Sequence, residues 1–481
     1  MGIYRTNNPA EFNAVDGIVI DESAPPADIV GVGTGVALLV GQFERGPGDL
    51  QEPGSAGNLL ELYGAKLTSG RKALANKRFS RLRLIRVIAS DAVKGTLTLD
   101  DGVTTDILKF DAKYLGLYGN NITVKVEVGS DATGKKITIS DGNEGSILAD
   151  EVYDQIEVAN ITDQTFKGSK LVDVSVLATS AEPADVAATA LTLGSDGTIA
   201  DTDYEAAIAV AEQEYAANVL FLDEYNATRN GYIKTHLAFT QDKMGIVCGA
   251  KDDDKAAVAT DAANYRDVQG RIIYGFPWVK TTINGIQETV NPASFIASAF
   301  SQSSPHVDLA FAGNAQFFAG IEGLHYSLGR ADYINLKNAG VCAFENDRFV
   351  GIKIKSGVVT QIANSSKVMI FRRRMADWLT ESQGIFLVNY QNGVNSSSNR
   401  GEVKGAFDEF IRNNSGEGGI LPSDDEVKGG NASIVDTESL NTDDAIAAGF
   451  FKIIYKQRIY SSMRYIVLQA EIGESVVVTE V

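Results

Sequence analysis

Cysteine is almost missing from this chain: two residues in 481, too few for a disulfide framework. Both, Cys248 and Cys342, sit in apolar runs, MGIVCGA and AGVCAFE, where a thiol is most often a small buried hydrophobe. Histidine is as scarce, and His236, His306 and His325 fall at no metal-ligand spacing, so no metal site is expected. No apolar run approaches the roughly 20 residues that span a bilayer, and membrane insertion is not expected. The start, MGIYRTNNPAEFNAVDG, has no basic stretch leading into an apolar one, which argues against a secretory leader. Positive charge is in deficit: 43 Lys and Arg against 62 Asp and Glu leave a net charge of -19. Such a chain repels phosphate backbones at long range, so direct nucleic-acid binding is not expected.

What is present is ordinary for a large globular protein, 44% hydrophobic and 22% charged, and the length predicts roughly two to four domains. Gly31 to Gly64 holds a β-prone run, Val36 to Val40, then Gly41, a turn with Arg45-Gly46-Pro47, a short helical segment from Asn58 to Leu62, and Tyr63-Gly64. The stretch RLRLIRVIAS, 81–90, alternates basic and apolar residues as a half-wet strand does. From 92 to 197 the pattern is β-rich (GTLTLDDG, ITVKVEVGSDATGKKITISDG, LVDVSVLA), with helical periodicity only in the alanine-rich stretch near 184–191. The period then switches to 3.6. Helices are predicted at Tyr204 to Ala217, Asn230 to Gln241 and Lys255 to Asp267, each followed by a strand, at Val219 to Leu222, Gly245 to Cys248 and Arg271 to Tyr274. Three such units predict a parallel sheet covered by helices, joined by the strands near 36–40 and 83–88. Further helices are expected at Pro292 to Ser301, Ser365 to Thr380 and Glu402 to Asn413, a long exposed connection at Gly416 to Asp444, and a strand pair within 450–471.

Motifs for chemistry are weak. Gly31-x-Gly33 lacks a third glycine and leads into a strand, so a pyrophosphate would find no helix end. GSDATGKK, 129–136, has Lys136 where a phosphate loop needs Ser or Thr, and it joins two strands; a hairpin tip is expected. Asp252-Asp253-Asp254 could hold a cation but lacks spaced ligands, and fits a helix N-terminus better. No Gly-x-Ser-x-Gly, Cys/His pair or HExxH occurs, and neither enzyme nor cofactor is expected.

Several words, in order, resemble the contractile tail sheath protein family. These are VDGIVIDES with Asp16 where the family has proline; the VG…RGP…YG opening; and AKYLGLYGN and LTLGSDG bracketing the β-rich stretch, with Ser195 where a second glycine is usual. Then follow Ile334-Asn335-Leu336 leading to Gly340-Val341, the helix KVMIFRRRMADW, and AAGFFKIIYKQRIYSSMRYIVLQAEI near the end. The resemblance implies a multidomain α/β fold: a linking arm at 1–22, an α/β domain at 23–91 and 198–358, an inserted β-rich outer domain at 92–197, an α+β C-terminal domain facing the tube at 359–472, and a linking strand at 473–481. It further implies a homopolymer that stacks as helical rings round a tail tube, meets baseplate and tail terminator proteins, and contracts without a nucleotide. The particle would be a bacteriophage virion assembled in the host cytoplasm and ejecting its genome through the host envelope, or a pyocin-like injection system.

Two sets of residues bear on assembly. The short β-prone segments Gly17, Ile18, Val19, Ile20, Asp21 and Glu474, Ser475, Val476, Val477, Val478, Thr479 have no evident local partner, and could add to the sheet edge of another copy or fold back on their own sheet. Lys367, Arg372, Arg373 and Arg374 lie on one predicted helix. Consecutive arginines sweep about 100° each, and would suit an acidic partner or be paired internally; the resemblance places this helix near the tube. The competing readings are an α/β hydrolase with a β insertion, which requires a pocket of convergent polar groups, and a virion adhesin whose receptor site is the β-rich stretch.

Overall fold

Two short stretches near the start are strands, β1 (Ile3–Thr6) and β2 (Ile18–Asp21), paired in parallel with Ile3 opposite Ile18 and Thr6 opposite Asp21. The structure is a computed structural model and describes residues 3–6, 18–21, 29, 31–131, 134–213, 217–266, 269–361, 368–416, 419–422, 432–434 and 439–462. It divides into two units, residues 33–374 and a second made of residues 1–32 with 375–481.

In the larger unit, β3 (Val36–Gly41, VALLVG) is buried at every position. Ala37 and Leu39 enter one apolar core, and Val36, Leu38 and Val40 enter another. A strand buried on both faces belongs inside a parallel sheet with helices on either side. Helices α1 (Ala56–Tyr63) and α2 (Ser69–Leu74), begun by the side chains of Ser55 and Thr68, lead to β4 (Arg81–Arg86) parallel to β3.

The chain then leaves the sheet. Strands β5 (Thr96–Asp100), β6 (Asp106–Ala112), β7 (Ile122–Val128), β8 (Lys135–Asp141), β9 (Glu151–Ile156), β10 (Val172–Val176) and β11 (Val186–Ala190) build two antiparallel sheets, ordered β10-β6-β5 and β11-β7-β8-β9. Between them lies a separate core with Phe110, Ile122, Val124, Ile137, Ile139 and Phe166. The alanine-rich stretch is therefore not helical. Residues 186–190 pair antiparallel with β7, Val186 opposite Val126 and Ala190 opposite Thr123, and this pairing overrides the helix preference of alanine.

The chain rejoins the sheet through α3 (Asp201–Val210), β12 (Val219–Leu222), α4 (Ala227–Thr240), β13 (Met244–Cys248), α5 (Lys255–Asp261) and β14 (Ile272–Phe276). Asn226 and Asp254 cap α4 and α5 by accepting from their first-turn amides. A hairpin, β15 (Val279–Ile283) and β16 (Ile286–Val290), precedes α6 (Ala293–Gln302); β17 (Gly323–Leu324), α7 (Arg330–Asn338), β18 (Val341–Asp347) and β19 (Gly351–Ile354) follow. The seven-stranded order is β19-β18-β14-β13-β12-β3-β4, parallel except for β19. This is a doubly wound sheet whose strand order reverses between β3 and β12. Gly35 (φ 95) lets the backbone entering β3 pass close to α6, because an added Cβ would lie 2.2 Å from the Ser301 carbonyl oxygen.

The smaller unit takes most of α8 (Ile370–Val388), then α9 (Ser397–Asn413), β20 (Ala432–Ile434), α10 (Asp443–Ala447) and β21 (Ile454–Lys456). Trp378, Phe386, Val403, Phe407 and Phe410 form its core with Ile29. β21 pairs antiparallel with β20, Ile434 opposite Ile454, so the stretch read as an exposed connection contains a strand, while residues 463–471 of the expected strand pair lie outside the described residues. Residues 463–481 lie outside the described residues.

Candidate assembly interface

Ile18, Val19, Ile20 and Asp21 form β2, opposite Ile3, Tyr4, Arg5 and Thr6 of β1. The expectation that this segment lacks a local partner is thus corrected: residues 3–6 supply one. Gly17 and the whole segment Glu474, Ser475, Val476, Val477, Val478, Thr479 lie outside the described residues, as does Lys367.

The arginine run does not present three cations to a partner. Arg372 is half-buried, while Arg373 and Arg374 are 7% and 5% exposed. Arg374 donates to the carbonyls of Phe300 (2.9 Å) and Ser303 (2.7 Å) and to Ser303 Oγ (2.8 Å), with its guanidinium 4.0 Å from the Phe300 ring centre. These carbonyls end α6, so Arg374 is the C-terminal cap of that helix, where a cation also meets the negative end of the dipole. Burial lowers its pKa to about 9, and the cation persists at neutral pH. Arg373 reaches the Gln269 carbonyl (3.4 Å).

The switch point between β3 and β12, where doubly wound sheets open for ligands, is bridged by Asp223. This fully buried carboxylate accepts from the Gln42 amide (2.8 Å), Ser69 Oγ (2.6 Å) and Tyr204 Oη (2.8 Å), and burial raises its pKa. Sequence reasoning missed Asp223, whose only signal was its place just after an apolar strand. A cleft of about 730 Å³ opens beside it, lined by Lys66, Glu144 and Glu224 as well as Glu44, Arg86 and Asp196, the last three of which bond to backbone groups of the chain itself. Asp253 and Asp254 likewise accept backbone amides, at Ala250 and at the start of α5. β7 and β8 pair antiparallel on either side of GSDATGKK, whose residues 132 and 133 lie outside the described residues, and Cys248 and Cys342 are buried and unpaired. Among the described residues no cluster of His, Cys, Asp and Glu suits a metal, and no helix is long and apolar enough to cross a membrane.

No family model and no curated protein matches the sequence. Solved structures do match. The sheath tail protein of Desulfitobacterium hafniense is similar at a TM-score of 0.62 and 16% identity, over 88% of this chain and 94% of that one. The sheath tail protein Lin1278 of Listeria innocua gives 0.61 and 16%, over 80% and 84%. The anti-feeding prophage helical sheath in its contracted state gives 0.58 and 13%, over 95% and 99%. This chain has the fold of tail sheath proteins.

Within that sheath fold, the VG…RGP…YG words gain a physical role. Arg45, in the turn after β3, reaches into the β-rich insertion: its Nη1 is 2.5 Å from Asp141 Oδ2, and its guanidinium lies 6.0 Å from the Tyr118 ring centre. Arg86 at the end of β4 donates to the carbonyls of Phe43, Gly46 and Leu115, tying the same turn to the insertion. Tyr63 packs on Phe43 with centroids 4.7 Å apart, and Gly46 leaves room for it, since an added Cβ would lie 2.8 Å from its ring. These residues brace the insertion against the domain of the seven-stranded sheet.

Proposed function

We propose that this chain is the subunit of a contractile tail sheath. It polymerises as helical rings around a tail tube, is held in an extended metastable state, and contracts to drive the tube through a bacterial envelope. The observation that carries this reading is the likeness to a contracted helical sheath over 95% of this chain and 99% of the other. The physical scheme is release between two packings of nearly rigid units, with no nucleotide consumed. Gly17 to Asp21 and Glu474 to Thr479 serve as linking strands between copies. Main-chain hydrogen bonds worth about 0.5–1.5 kcal/mol each make such a link weak singly and strong in an array, and a head-to-tail contact leaves the helix open. The C-terminal α+β domain faces the tube, with the helix that carries Arg372, and the β-rich insertion decorates the exterior. Baseplate and terminator proteins cap the two ends, and the sheath belongs to a phage virion assembled in the host cytoplasm for genome delivery.

A second setting, an injection device without a genome, is favoured by the likeness to the anti-feeding prophage sheath; DNA-filled heads on purified particles would decide for the phage. The reading itself is tested by negative-stain electron microscopy at rising concentration, beside a chain ending at Gly473. Hollow tubes from the full chain that vanish in the truncation support it. Monomers or small closed rings from both would sink it.

A further inference from the structure

From Leu62 to Ser90 the chain carries eight lysines and arginines and no aspartate or glutamate, in a protein whose net charge is -19. Half of these cations are used within the fold. Lys72 pairs with Glu288 at 2.9 Å, Arg81 and Arg83 pair with Glu52 at 2.8 and 3.1 Å, and Arg86 is buried on carbonyls. The others, Lys66, Arg71, Lys77 and Arg78, meet no carboxylate among the described residues. Arg71 Nε is buried without a partner. Lys77 Nζ donates to the Ala75 carbonyl (2.8 Å) and reaches the Lys72 carbonyl (3.5 Å) at the end of α2, and it lies 4.1 Å from the Phe295 ring centre. Burial lowers the pKa of both side chains, that of Lys77 to about 7, with no carboxylate opposing it. Cations part-way out of water and without an anion cost free energy that an arriving carboxylate recovers. Lys66 and Arg78, which flank α2 in the chain, are exposed.

The complement lies in the smaller unit. From Asp424 to Asp444 the chain has seven carboxylates and one lysine. Asp443 and Asp444, at the start of α10, are exposed and pair with no cation among the described residues; 424–431 and 435–438 lie outside the described residues. Two complementary stretches at different places on one chain define a head-to-tail contact, which repeats without having to close. We propose that the basic stretch around α2 of one copy binds the acidic stretch Asp424–Asp444 of another copy. Opposite charge steers the two together, and like charge disfavours the pairing of two basic or two acidic stretches. The inference rests on the sheath reading for its polymer and names the surfaces that meet in it.

The test uses two full-length charge reversals, one with Lys66→Glu, Arg71→Glu and Arg78→Glu, the other with Asp424→Lys, Asp425→Lys and Glu426→Lys. Each is first checked for the parent's melting temperature; should Arg71→Glu lower it, Lys66→Glu with Arg78→Glu takes its place. Neither variant should assemble alone at concentrations where the parent does, because opposite charges no longer meet. A 1:1 mixture should assemble, because each copy supplies what the other lacks. Variants that assemble alone as the parent does, or a mixture that stays monomeric, would overturn the proposal. Such a mixture beside a single chain that carries both reversals and assembles would place the contact within one copy. Raising salt from about 0.05 M to about 0.5 M should raise the parent's critical concentration roughly tenfold, and an unchanged value would contradict a charge-driven contact. Carbodiimide coupling of heavy- and light-isotope copies, read by mass spectrometry, separates this inference from the reading it rests on. Links from Lys66 or Lys77 to residues 424–444 between heavy and light copies, without hollow tubes, would keep this contact and reject the sheath. Tubes without such links would reject the contact and leave the sheath reading standing.

Discussion

Arg45 and Asp141, 96 residues apart, form an ion pair between side chains that are 3% and 0% exposed. Burial pushes the Asp141 pKa up, but hydrogen bonds from Ser146 and Arg45 outweigh it, so the carboxylate stays below its usual range. Removing one partner strands a buried charge, which costs about 3–5 kcal/mol. Asp141→Ala should therefore lower the denaturant midpoint sharply. Arg45→Met with Asp141→Leu should recover most of the loss, since apolar replacement of both partners removes the stranded charge. A double variant no better than the single one would show that the pair's other hydrogen bonds, not its charge, hold the insertion.

His236 on α4 is 5% exposed, and neither ring nitrogen has a partner. Burial, helped by the nearby Lys243 cation and opposed by Asp242, lowers its pKa from 6.5 to about 4. Above pH 6.5 the ring is neutral folded and unfolded, and it contributes no pH dependence. As pH falls from about 6.5 towards 4 the unfolded chain binds a proton that the folded chain refuses, and stability drops by up to about 3 kcal/mol. Chemical denaturation at pH 7 and pH 4.5 should show this loss, and His236→Leu should flatten it. An unchanged slope in the variant would assign the acid sensitivity to other groups.

Arg374 closes the C-terminus of α6 through Phe300, Ser303 and Ser304. Arg374→Leu leaves several carbonyls unpaired and should cost about 3 kcal/mol or more; Arg374→Lys, a point charge without the planar fork, should lose part of that. Arg372→Ala, at a half-buried neighbour, should stay within about 1 kcal/mol. Thermal unfolding of the three variants checks the order. Equal losses at 372 and 374 would contradict the capping role.

That contrast marks where the sequence was legible and where it was not. The runs at β3, β12, β13 and β14 read as central strands because both of their faces are buried, which leaves an uninterrupted apolar signature. Ile334-Asn335-Leu336 leading to Gly340-Val341 stood out only through the family resemblance, and in the structure Gly340, with a φ of 84, separates α7 from β18. Helical spacing put the three arginines on one helix but was silent about what packs there: Ser303 lies 71 residues upstream. Alanine's local preference likewise pointed away from β11, whose partner β7 is distant in sequence. Asp223 was invisible for the same reason, since a polar side chain at an ordinary position acquires meaning only from its burial.

The two glycines of the Gly33-x-Gly35 stretch separate space from composition. An added Cβ at Gly35 would lie 2.2 Å from Ser301 O at a φ of 95, whereas one at Gly33 would meet nothing within 4 Å. Gly35→Ala combines backbone strain with a clash and should cost about 2–4 kcal/mol. Gly33→Ala should be close to neutral. Soluble yield and melting temperature compare them directly, and equal tolerance would mean that α6 can move away from the strand.

The β-rich insertion begins and ends at one place: the Val93 and Ser195 amides donate to each other's carbonyls at 2.9 and 3.0 Å. Excising 94–194 and joining Val93 to Ser195 through Asn-Gly should therefore close a two-residue hairpin without moving the sheet. The excision alone strands Arg45, whose ion pair and aromatic neighbour both leave with the insertion. It should fold poorly for that reason. Arg86 keeps its bonds to Phe43 and Gly46, so it needs no compensation. Adding Arg45→Met should restore a cooperative transition, and an insertion that only decorates the exterior predicts that this repaired chain still forms tubes by electron microscopy. A folded, repaired chain that remains monomeric at concentrations where the full chain assembles would place the insertion inside the subunit contacts and reject its peripheral role.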